Sequence, residues 1–298
     1  MVSCTQRLAD AGLAKPPRFV AANICYETIM GSVAYGVSSD TSDMDVYGFC
    51  VPNKETVFPH LAGEIQGFGK QVQRFEQYQQ HHIEAKDGDI GKAKVYDLSI
   101  YNIVKYFQLC MDNNPNMIDS LFTSSECVLH STQVGEMVRS NRRLFLHKGS
   151  WHKFKGYAYS QLHKMSNKKP VGKRAALVDQ YGYDVKFAYH VVRLLYEAEQ
   201  ILVEGDIDLR RHREHLKSIR RGELTEADIR SWAASKEKDL EKVYTSSPLQ
   251  YTPDVDAIKA LLLNCLEHHY GNLEGCVVDT DRAVVALREI EAIIKKTI

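Results

Sequence analysis

Hydrophobic and polar residues follow one pattern up to about residue 98 and another beyond it. In the first part, short apolar runs and period-two alternation, separated by glycine, proline and asparagine, predict β-strands joined by turns. The predicted strands cover residues 24–30, 44–51, 71–83 and 93–98. From residue 99 onward the apolar positions recur with a helical period, beginning with a face over 100–109 that ends before Asn113.

Helical periodicity dominates after residue 130. The predicted helices cover residues 131–145, 151–166, 175–204, 225–243, 254–270 and 279–296. Suitable capping residues stand at several of their ends, namely Thr225 and Asp254 at N-termini and Gly205 and Gly271 at C-termini. The pattern therefore predicts an α+β protein, with a small mixed-sheet domain over residues 1–147 and an all-helical domain over residues 148–298.

Composition and charge narrow the classes of protein that fit this pattern. Of the 298 residues, 44% are hydrophobic and 26% are charged, values that exclude wholesale disorder. The 38 Lys and Arg residues balance 38 Asp and Glu residues, but the basic ones are concentrated. Residues 139–193 contain 13 basic and two acidic side chains, so we expect this basic stretch to bind an anion.

Seven cysteines are scattered along the chain without a CxxC pair. This spacing favours reduced, mostly buried thiols over a disulfide framework or a zinc site. No apolar stretch reaches the length of a signal-peptide core or of a membrane span. We therefore expect a soluble, cytoplasmic protein with no membrane partner.

Asp43 and Asp45 lie two residues apart at the start of an apolar strand. Residues i and i+2 of a strand point to the same side, so both carboxylates should face one point in space. Two like charges in that position are costly unless a cation neutralises them, and paired carboxylates suit Mg²⁺. The alternative is that the two aspartates belong to a solvated turn.

Gly31 and Ser32 follow the first predicted strand and precede an apolar Val-Ala-Tyr segment, which predicts a turn into a short helix. Such a turn offers backbone N–H groups to a phosphate, glycine allows close approach, and the Ser32 hydroxyl adds a hydrogen bond. Taken alone, the dipeptide is also compatible with an ordinary turn. Together with Asp43 and Asp45, about ten residues further on, it predicts a site for a metal-bound nucleoside triphosphate (NTP).

The combined pattern, GSxxYG followed by SDxDxxG, resembles the signature of the nucleotidyltransferase superfamily of DNA polymerase β. Within it, the chain is similar to the branch of RNA-repair-pathway predicted nucleotidyltransferases. Residues 114–122 resemble that branch's NPN segment, with Asp119 where Glu is more frequent, and residues 184–195 resemble its D-x-K-x-x-x-H-x-x-R-L-L helix. The similarity covers about residues 25–225 and implies a polymerase β-like palm as the mixed-sheet domain.

The resemblance also implies a third carboxylate on a neighbouring strand, and Asp97 is the best match. In this role Asp97 would bind Mg²⁺, or Mn²⁺ as an alternative, together with Asp43 and Asp45, and would help to deprotonate the attacking hydroxyl. Two alternatives stay open. In the first, Asp97 is only the N-cap of the helix that follows it. In the second, the third carboxylate is Asp87 or Asp89, although these two are typical of a turn.

Lys186, His190 and Arg193 share one helix face because their spacing is i, i+4 and i+7. We expect them to bind the nucleotide together with Gly31 and Ser32, the alternative being a solvated basic face. Further basic residues of the stretch are Lys164, Lys168, Lys169, Lys173 and Arg174. Three helical tyrosines either stack on a base or pack against the core, namely Tyr157, Tyr159 and Tyr181.

The resemblance implies a transferase that moves a nucleoside monophosphate from an NTP to a hydroxyl acceptor. The branch and the basic stretch favour RNA as that acceptor, either tRNA or a broken RNA 3′ end. Two alternatives stay open, which are transfer to a small molecule or protein side chain, and a catalytically silent protein that binds nucleotide or RNA. The sequence leaves the base, the number of nucleotides added and the oligomeric state undetermined.

Several other features suggest no chemistry by themselves. The pairs His81–His82 and His268–His269 lack a partner at metal-ligand spacing. Acidic neighbours offset the arginine clusters over 210–213 and 220–221. The chain has neither a P-loop motif nor a Gly-x-Ser-x-Gly turn, which argues against a P-loop NTPase and against an α/β-hydrolase nucleophile.

Overall fold

The computed structural model describes residues 2–39, 42–71, 73–86, 93–167, 169 and 171–277, with residues 286, 287, 290, 291, 293 and 294 near the C-terminus. A five-stranded mixed sheet lies at its centre, in the order β3-β4-β2-β1-β5. The strands are β1 (Ile24–Ile29), β2 (Met44–Cys50), β3 (Gln77–Lys86), β4 (Ala93–Asn102) and β5 (Val128–Ser131). Strands β2 and β4 are parallel, and the other neighbouring pairs are antiparallel.

Helices surround the sheet and make up most of the second half of the chain. In the first half they are α1 (Cys4–Asp10), α2 (Arg18–Ala22), α3 (Gly31–Ala34), α4 (Lys54–Val57), α5 (Ile103–Met111), α6 (Pro115–Phe122) and α7 (Gln133–Ser140). In the second half they are α8 (Ser150–Asn167), α9 (Lys173–Tyr181), α10 (Val185–Glu204), α11 (Arg213–Arg220), α12 (Glu226–Ser246) and α13 (Val255–Tyr270). Short 3₁₀ turns cover Pro59–Ala62, Ser125–Cys127 and Arg142–Phe145.

One hydrophobic cluster joins the sheet to the helices. It extends from Tyr26 and Phe49 on the strands through Tyr106 to Trp151 and Phe154 on α8, all of which are fully buried. Helix α10 packs against α8 and α12 and buries most of its side chains, as expected for a helix whose apolar residues spread over more than one face. The division of the chain near residue 147 stays a prediction.

A smaller cluster covers the other side of the sheet, where α1 packs against strands β2 and β4. Glu27 of β1 is fully buried there and accepts hydrogen bonds from the backbone N–H groups of Cys4 (2.6 Å) and Thr5 (3.0 Å). Burial raises the pKa of this carboxyl, while the two N–H groups at the start of α1 compensate part of the cost. Glu27 therefore fastens the N-terminal helix to the sheet.

The predicted strands over 24–30, 44–51 and 93–98 are confirmed, and the strand predicted over 71–83 begins later, at Gln77. The predicted start of the first helix, near residue 99, is too early. Ser99–Asn102 still belong to β4, and helix α5 starts at Ile103. Pairing with β2 and β3 extends β4 beyond the point where its apolar periodicity changes. Strand β5 was not predicted, since four residues are too few to show a period.

Most of the predicted long helices are confirmed. The helix expected over 131–145 is shorter, α7 (Gln133–Ser140), and is followed by the 3₁₀ turn Arg142–Phe145. The helix expected over 175–204 is two helices, α9 and α10, separated at Gly182 and Asp184, where Gly182 has a left-handed backbone and Asp184 caps α10. The short helices α6 and α11 were missed. All four predicted capping residues cap helices, and Thr225 forms a capping box with Asp228. The helix expected over 279–296 lies mostly outside the described residues.

The seven cysteines are free thiols, and all but Cys276 are buried, in agreement with the prediction of reduced, mostly buried side chains. Within the described part of the chain, no helix combines the length and apolar character needed to cross a bilayer.

Candidate functional site

The turn after β1 is attached directly to the first residues of β2. The backbone N–H of Met30 donates to the carbonyl oxygen of Asp45 (2.6 Å), and helix α3 starts at the next residue. Gly31 has a positive φ of 65°, and a β-carbon at this position would overlap a carboxylate oxygen of Asp45. Glycine is therefore required both by the backbone conformation and by the close approach of Asp45. The structure brings the predicted turn and the predicted aspartates together.

Asp45 lies beside Asp97 because β2 and β4 are parallel and pair these two residues directly. Paired residues of neighbouring strands point to the same side of the sheet, and Asp43, which directly precedes β2, lies close enough to act on the Asp45 carboxylate. Burial raises the pKa of Asp45 to about 6, and the nearby carboxylates of Asp97 and Asp43 contribute to the rise. Three acidic side chains thus concentrate negative charge at one edge of strands β2 and β4.

A β-bulge in β3 places two histidines opposite Asp97. Pairing between β3 and β4 shifts between Gln80 and Ile83, and His82 has a positive φ of 57°. The His82 N–H donates to Asp97 Oδ1 (2.7 Å), and His81 Nδ1 lies 3.5 Å from Asp97 Oδ2. The bulge therefore holds the Asp97 carboxylate in place. The sequence did not predict this bulge, because an inserted residue breaks the alternation of the strand.

The position of Asp97 in the structure excludes one of its alternative roles. The cap of the following helix is Asn102, whose side chain accepts from Val104 N (3.0 Å), so the N-cap interpretation of Asp97 is wrong. Asp87 and Asp89 lie outside the described residues. Asp97 remains the carboxylate that adjoins Asp45 within the part of the chain that is described.

The donor set fits a hard divalent cation in its chemistry and charge. Asp43 is exposed and Asp45 is half-buried, and burial together with Asp97 and Asp43 raises the pKa of Asp45, so a bound cation would offset the cost of ionising it. As the side chains stand, no three Asp, Glu, His or Cys groups among the described residues are gathered into a metal site. Asp43 and Asp45 are thus the pair suited to Mg²⁺, with Asp97 adjacent and held by the bulge.

A cavity of about 350 Å³ opens where the Gly31–Ser32 turn meets helices α9, α10 and α11. We call it the basic cavity, because three cations line it opposite the acidic pair. Its lining includes Gly31, Ser32, Ser39, Ser42, Asp43, Asp45, Arg174, Lys186, Tyr189, His190 and Arg220. Phosphates bind where cations and hydroxyl groups converge in this way, so this lining suits a triphosphate.

Contacts with neighbouring residues hold Arg174 and Arg220 of the basic cavity in place. Arg174 stacks on Phe187 (4.1 Å to the ring centre) and lies 3.3 Å from Asp184. Arg220 donates to the Val37 carbonyl (2.5 Å). Burial, together with the nearby cations Arg174 and Arg220, lowers the pKa of Lys186. Asp184 therefore orients Arg174, whereas Arg220 belongs to an arginine cluster for which the sequence suggested no chemistry.

A second cavity of about 340 Å³ lies on the other side of Asp45. We call it the polar cavity. Its lining includes Met30, Gly31, Tyr35, Asp45, Tyr47, Asn116, Tyr157, Gln161, Lys164, His190, Arg193 and Leu194. The two cavities share Gly31, Asp45 and His190, so a single extended ligand passing Asp45 would occupy both.

The predicted face of Lys186, His190 and Arg193 meets the site, but the three side chains differ in charge. Burial and the neighbouring cations lower the pKa of His190 well below its ordinary value, so its imidazole is neutral near pH 7. Arg193 is buried and forms ion pairs with Asp119 and Glu197. Of the three, only Lys186 presents a cation that forms no salt bridge with the described residues.

Of the other basic and aromatic residues expected at the nucleotide, some line one of the two cavities and others do not. Lys164 and Tyr157 line the polar cavity and Arg174 lines the basic cavity. Lys169 is exposed, and the side chains of Lys168 and Lys173 lie outside the described part. Tyr159 bonds to Glu237 (2.8 Å) and Tyr181 lies against Gly222, so these two tyrosines have packing contacts away from both linings.

We expect Asp45→Asn to stabilise the metal-free protein. The folded-state pKa of Asp45 is raised to about 6, so its contribution to stability is complete below the unfolded-state pKa and is lost as pH rises through about 6. At pH 7.5 the neutral asparagine removes this cost, which we expect to be about 1–2 kcal/mol because the side chain is partly exposed. Urea unfolding in a chelator at pH 7.5 and pH 5 measures the difference, which should shrink at pH 5. Equal stability of the two proteins at pH 7.5 would show that ionised Asp45 does not destabilise the folded protein.

Comparison with known proteins relates the chain to one protein family and to solved structures. A family model described as the RNA repair pathway DNA polymerase beta family matches residues 11–269. Among solved structures, the chain is similar to a nucleotidyltransferase-like protein from Exiguobacterium sibiricum 255-15, with 11% sequence identity, coverage of 89% of this chain and 72% of that chain, and a TM-score of 0.29. The search of curated proteins finds no match.

Proposed function

Because the chain belongs to the RNA repair pathway DNA polymerase beta family, we propose that it is a nucleotidyltransferase that moves a nucleoside monophosphate from an NTP to a hydroxyl acceptor. One observation supports this most strongly. The acidic residues Asp43 and Asp45 share a single cavity with Gly31, Ser32 and three cations, which is the arrangement that a metal-bound triphosphate requires.

Asp43 and Asp45 are the residues that would hold Mg²⁺, with Asp97 as the further candidate ligand. When bound, the metal would neutralise charge on the phosphates and lower the pKa of the acceptor hydroxyl. Within the chain itself, Asp45 favours a bound cation because burial and the nearby carboxylates of Asp97 and Asp43 disfavour its ionised form. Mn²⁺ is an alternative ion for the same oxygen ligands.

The triphosphate would lie in the basic cavity. The Ser32 hydroxyl donates a hydrogen bond to a phosphate oxygen, and Arg174, Lys186 and Arg220 supply charge-assisted hydrogen bonds to the others. This placement brings the α-phosphate to Asp45, at the junction of the two cavities. The chain's cations also stabilise the negative charge that grows on the leaving pyrophosphate.

The reaction is an in-line displacement at the α-phosphorus. The acceptor oxygen forms a bond to the α-phosphorus while the bond from that phosphorus to the bridging oxygen breaks, and pyrophosphate leaves with the electron pair. The hydroxyl proton passes to a carboxylate oxygen of Asp97, which stands beside Asp45. In this account the protein contributes position and charge, without a covalent intermediate.

RNA is the acceptor that the family and the charge distribution favour. The family model describes an RNA repair pathway, and residues 139–193 carry 13 basic against two acidic side chains. Arg143, Lys155 and Arg193 of this stretch form ion pairs within the chain. Its exposed lysines, among them Lys153, Lys164 and Lys169, would contact the phosphates of a nucleic-acid backbone. The acceptor would be tRNA or a broken RNA 3′ end.

A labelling assay tests the proposal. The protein is incubated with each α-labelled NTP, with Mg²⁺ or Mn²⁺, and with separate pools of RNA, protein and small molecules. We expect label in the RNA pool that depends on the metal. Label in another pool would replace RNA by a different acceptor, and tight nucleotide binding without transfer to any pool would identify a silent binding protein.

We expect Lys186→Ala to weaken NTP binding by about tenfold to a hundredfold, because it removes one charge-assisted contact to the triphosphate. The KM for NTP should rise more than kcat falls, since the contact exists before the transition state. Lys242→Ala is the control, as this exposed lysine pairs with Asp239 and lines neither cavity. Equal KM values for the two variants would remove Lys186 from the triphosphate site.

A further inference from the structure

The two cavities that meet at Asp45 differ in charge. In the basic cavity, Arg174, Lys186 and Arg220 face the Gly31–Ser32 turn. In the polar cavity, the buried cation is Arg193, and its charge is compensated by Asp119 and Glu197. The other cation of that lining, Lys164, is exposed. A ligand with a highly charged part and a neutral part would therefore place the charged part in the basic cavity.

The walls of the polar cavity offer aromatic rings for stacking and side chains that can both donate and accept hydrogen bonds. Tyr47 and Tyr157 contribute aromatic rings, and the Asn114 side chain donates to the Tyr157 hydroxyl (3.0 Å), which holds that ring in place. Asn116 and Gln161 contribute carboxamides, each with donors and an acceptor. Within the described part of the chain, neither carboxamide has a hydrogen-bond partner, so both are available to a ligand.

The elements that supply these groups come from both predicted domains. Tyr47 belongs to β2 and Asn116 to α6, whereas Tyr157 and Gln161 lie four residues apart on α8 and so share one face of that helix. The ring and the carboxamide of α8 therefore face the same space as Asn116. The cavity, of about 340 Å³, falls within the usual size range of small-molecule sites.

We propose that the polar cavity binds the adenosine part of the NTP, with Asn116 and Gln161 as the residues that select the base. This inference rests on the proposed function, because it needs the triphosphate in the neighbouring basic cavity. Adenine is favoured because its N6 donor and N7 acceptor form the edge that a carboxamide binds in bidentate fashion, whereas the same edge of guanine offers two acceptors and pyrimidines lack N7. The tyrosine rings would stack on the base without distinguishing one base from another.

Calorimetric titration separates base recognition from phosphate recognition. The probes are inorganic tripolyphosphate and the α,β-methylene analogues of ATP, GTP, CTP and UTP, all with Mg²⁺, so that no transfer takes place. The wild-type protein should bind the ATP analogue about tenfold more tightly than the others. Asn116→Ala and Gln161→Ala should each remove most of that preference and leave the affinity for tripolyphosphate unchanged.

His163→Ala provides the matched control, because His163 is exposed on the same helix and lines neither cavity. Thermal unfolding confirms that the variants are folded. A wild-type preference for another base, or equal loss of tripolyphosphate and ATP-analogue binding in the Gln161 variant, would overturn the assignment. Failure of the wild-type protein to bind either tripolyphosphate or any NTP analogue would instead reject the proposed function on which it rests.

Discussion

Asp45→Asn should reduce nucleotidyl transfer by about 10³-fold or more, while the protein remains folded. Asp45 occupies the position common to the Gly31–Ser32 turn, the strand pairing with Asp97 and both cavities. An asparagine keeps the volume and one oxygen but removes the charge that the metal and the transition state require. The loss should therefore fall on kcat more than on the binding of the free NTP.

The measurement is the rate of label transfer from the α-labelled NTP at saturating Mg²⁺, compared between variants. Asp256→Asn is the matched control, because this exposed residue of α13 lies outside both cavity linings. Combined with the expected gain in stability of the metal-free protein, a large loss of activity would show that the charge at Asp45 is kept for function at the expense of stability. Retention of more than about a tenth of the activity would be incompatible with Asp45 as a metal ligand.

Arg193→Leu should destabilise the protein by about 3–5 kcal/mol, because removing one partner of a buried ion pair leaves charge without compensation. Arg193 is 4% exposed, and its partners Asp119 and Glu197 are 0% and 1% exposed. The guanidinium also stacks on the Tyr35 ring (4.2 Å), and the Tyr35 hydroxyl donates to Asp119 (2.9 Å). This arrangement joins helix α10 to α6 and to the end of α3, beneath the polar cavity.

Glu197→Gln is the informative control for this cluster. Burial raises the pKa of Glu197 well above its ordinary value, and this carboxyl shares the Arg193 guanidinium with Asp119, so a glutamine here leaves the Arg193–Asp119 ion pair in place. We expect this variant to change the free energy of unfolding by less than about 1 kcal/mol, whereas Arg193→Leu produces the large loss. Urea unfolding at pH 7.5 measures both. If the two variants were equally stable, Arg193 would not be the cation that holds the cluster together.

Local sequence pattern predicted the parts of the site that lie close together along the chain. The turn at Gly31–Ser32 and the strand starting near Asp43 and Asp45 follow from short-range periodicity and residue type, and the structure confirms both elements. The prediction that Asp97 lies near Asp43 and Asp45 came from the resemblance to a family. Only the parallel register of β2 and β4 places it beside Asp45, and register is a property of the folded sheet.

The remaining parts of the site depend on contacts distant in sequence, which a local pattern does not contain. Arg220 enters the basic cavity from a helix nearly 190 residues beyond Ser32, and in the sequence its acidic neighbours concealed it. The bulge at His81–His82 acquires a role only through β4. Arg193, expected at the nucleotide because of its helix face, lines the polar cavity, but one of the buried carboxylates that pair with it belongs to α6, far away in sequence.

The central claim is that Asp43 and Asp45 share one metal and nucleotide site with the Gly31–Ser32 turn. A crystal structure of the protein with Mg²⁺ and an α,β-methylene NTP analogue tests it most directly. We predict a triphosphate in the basic cavity within hydrogen-bonding distance of Ser32, with the metal bound to both aspartates. A nucleotide bound away from this turn, or a metal that contacts neither aspartate, would contradict the account.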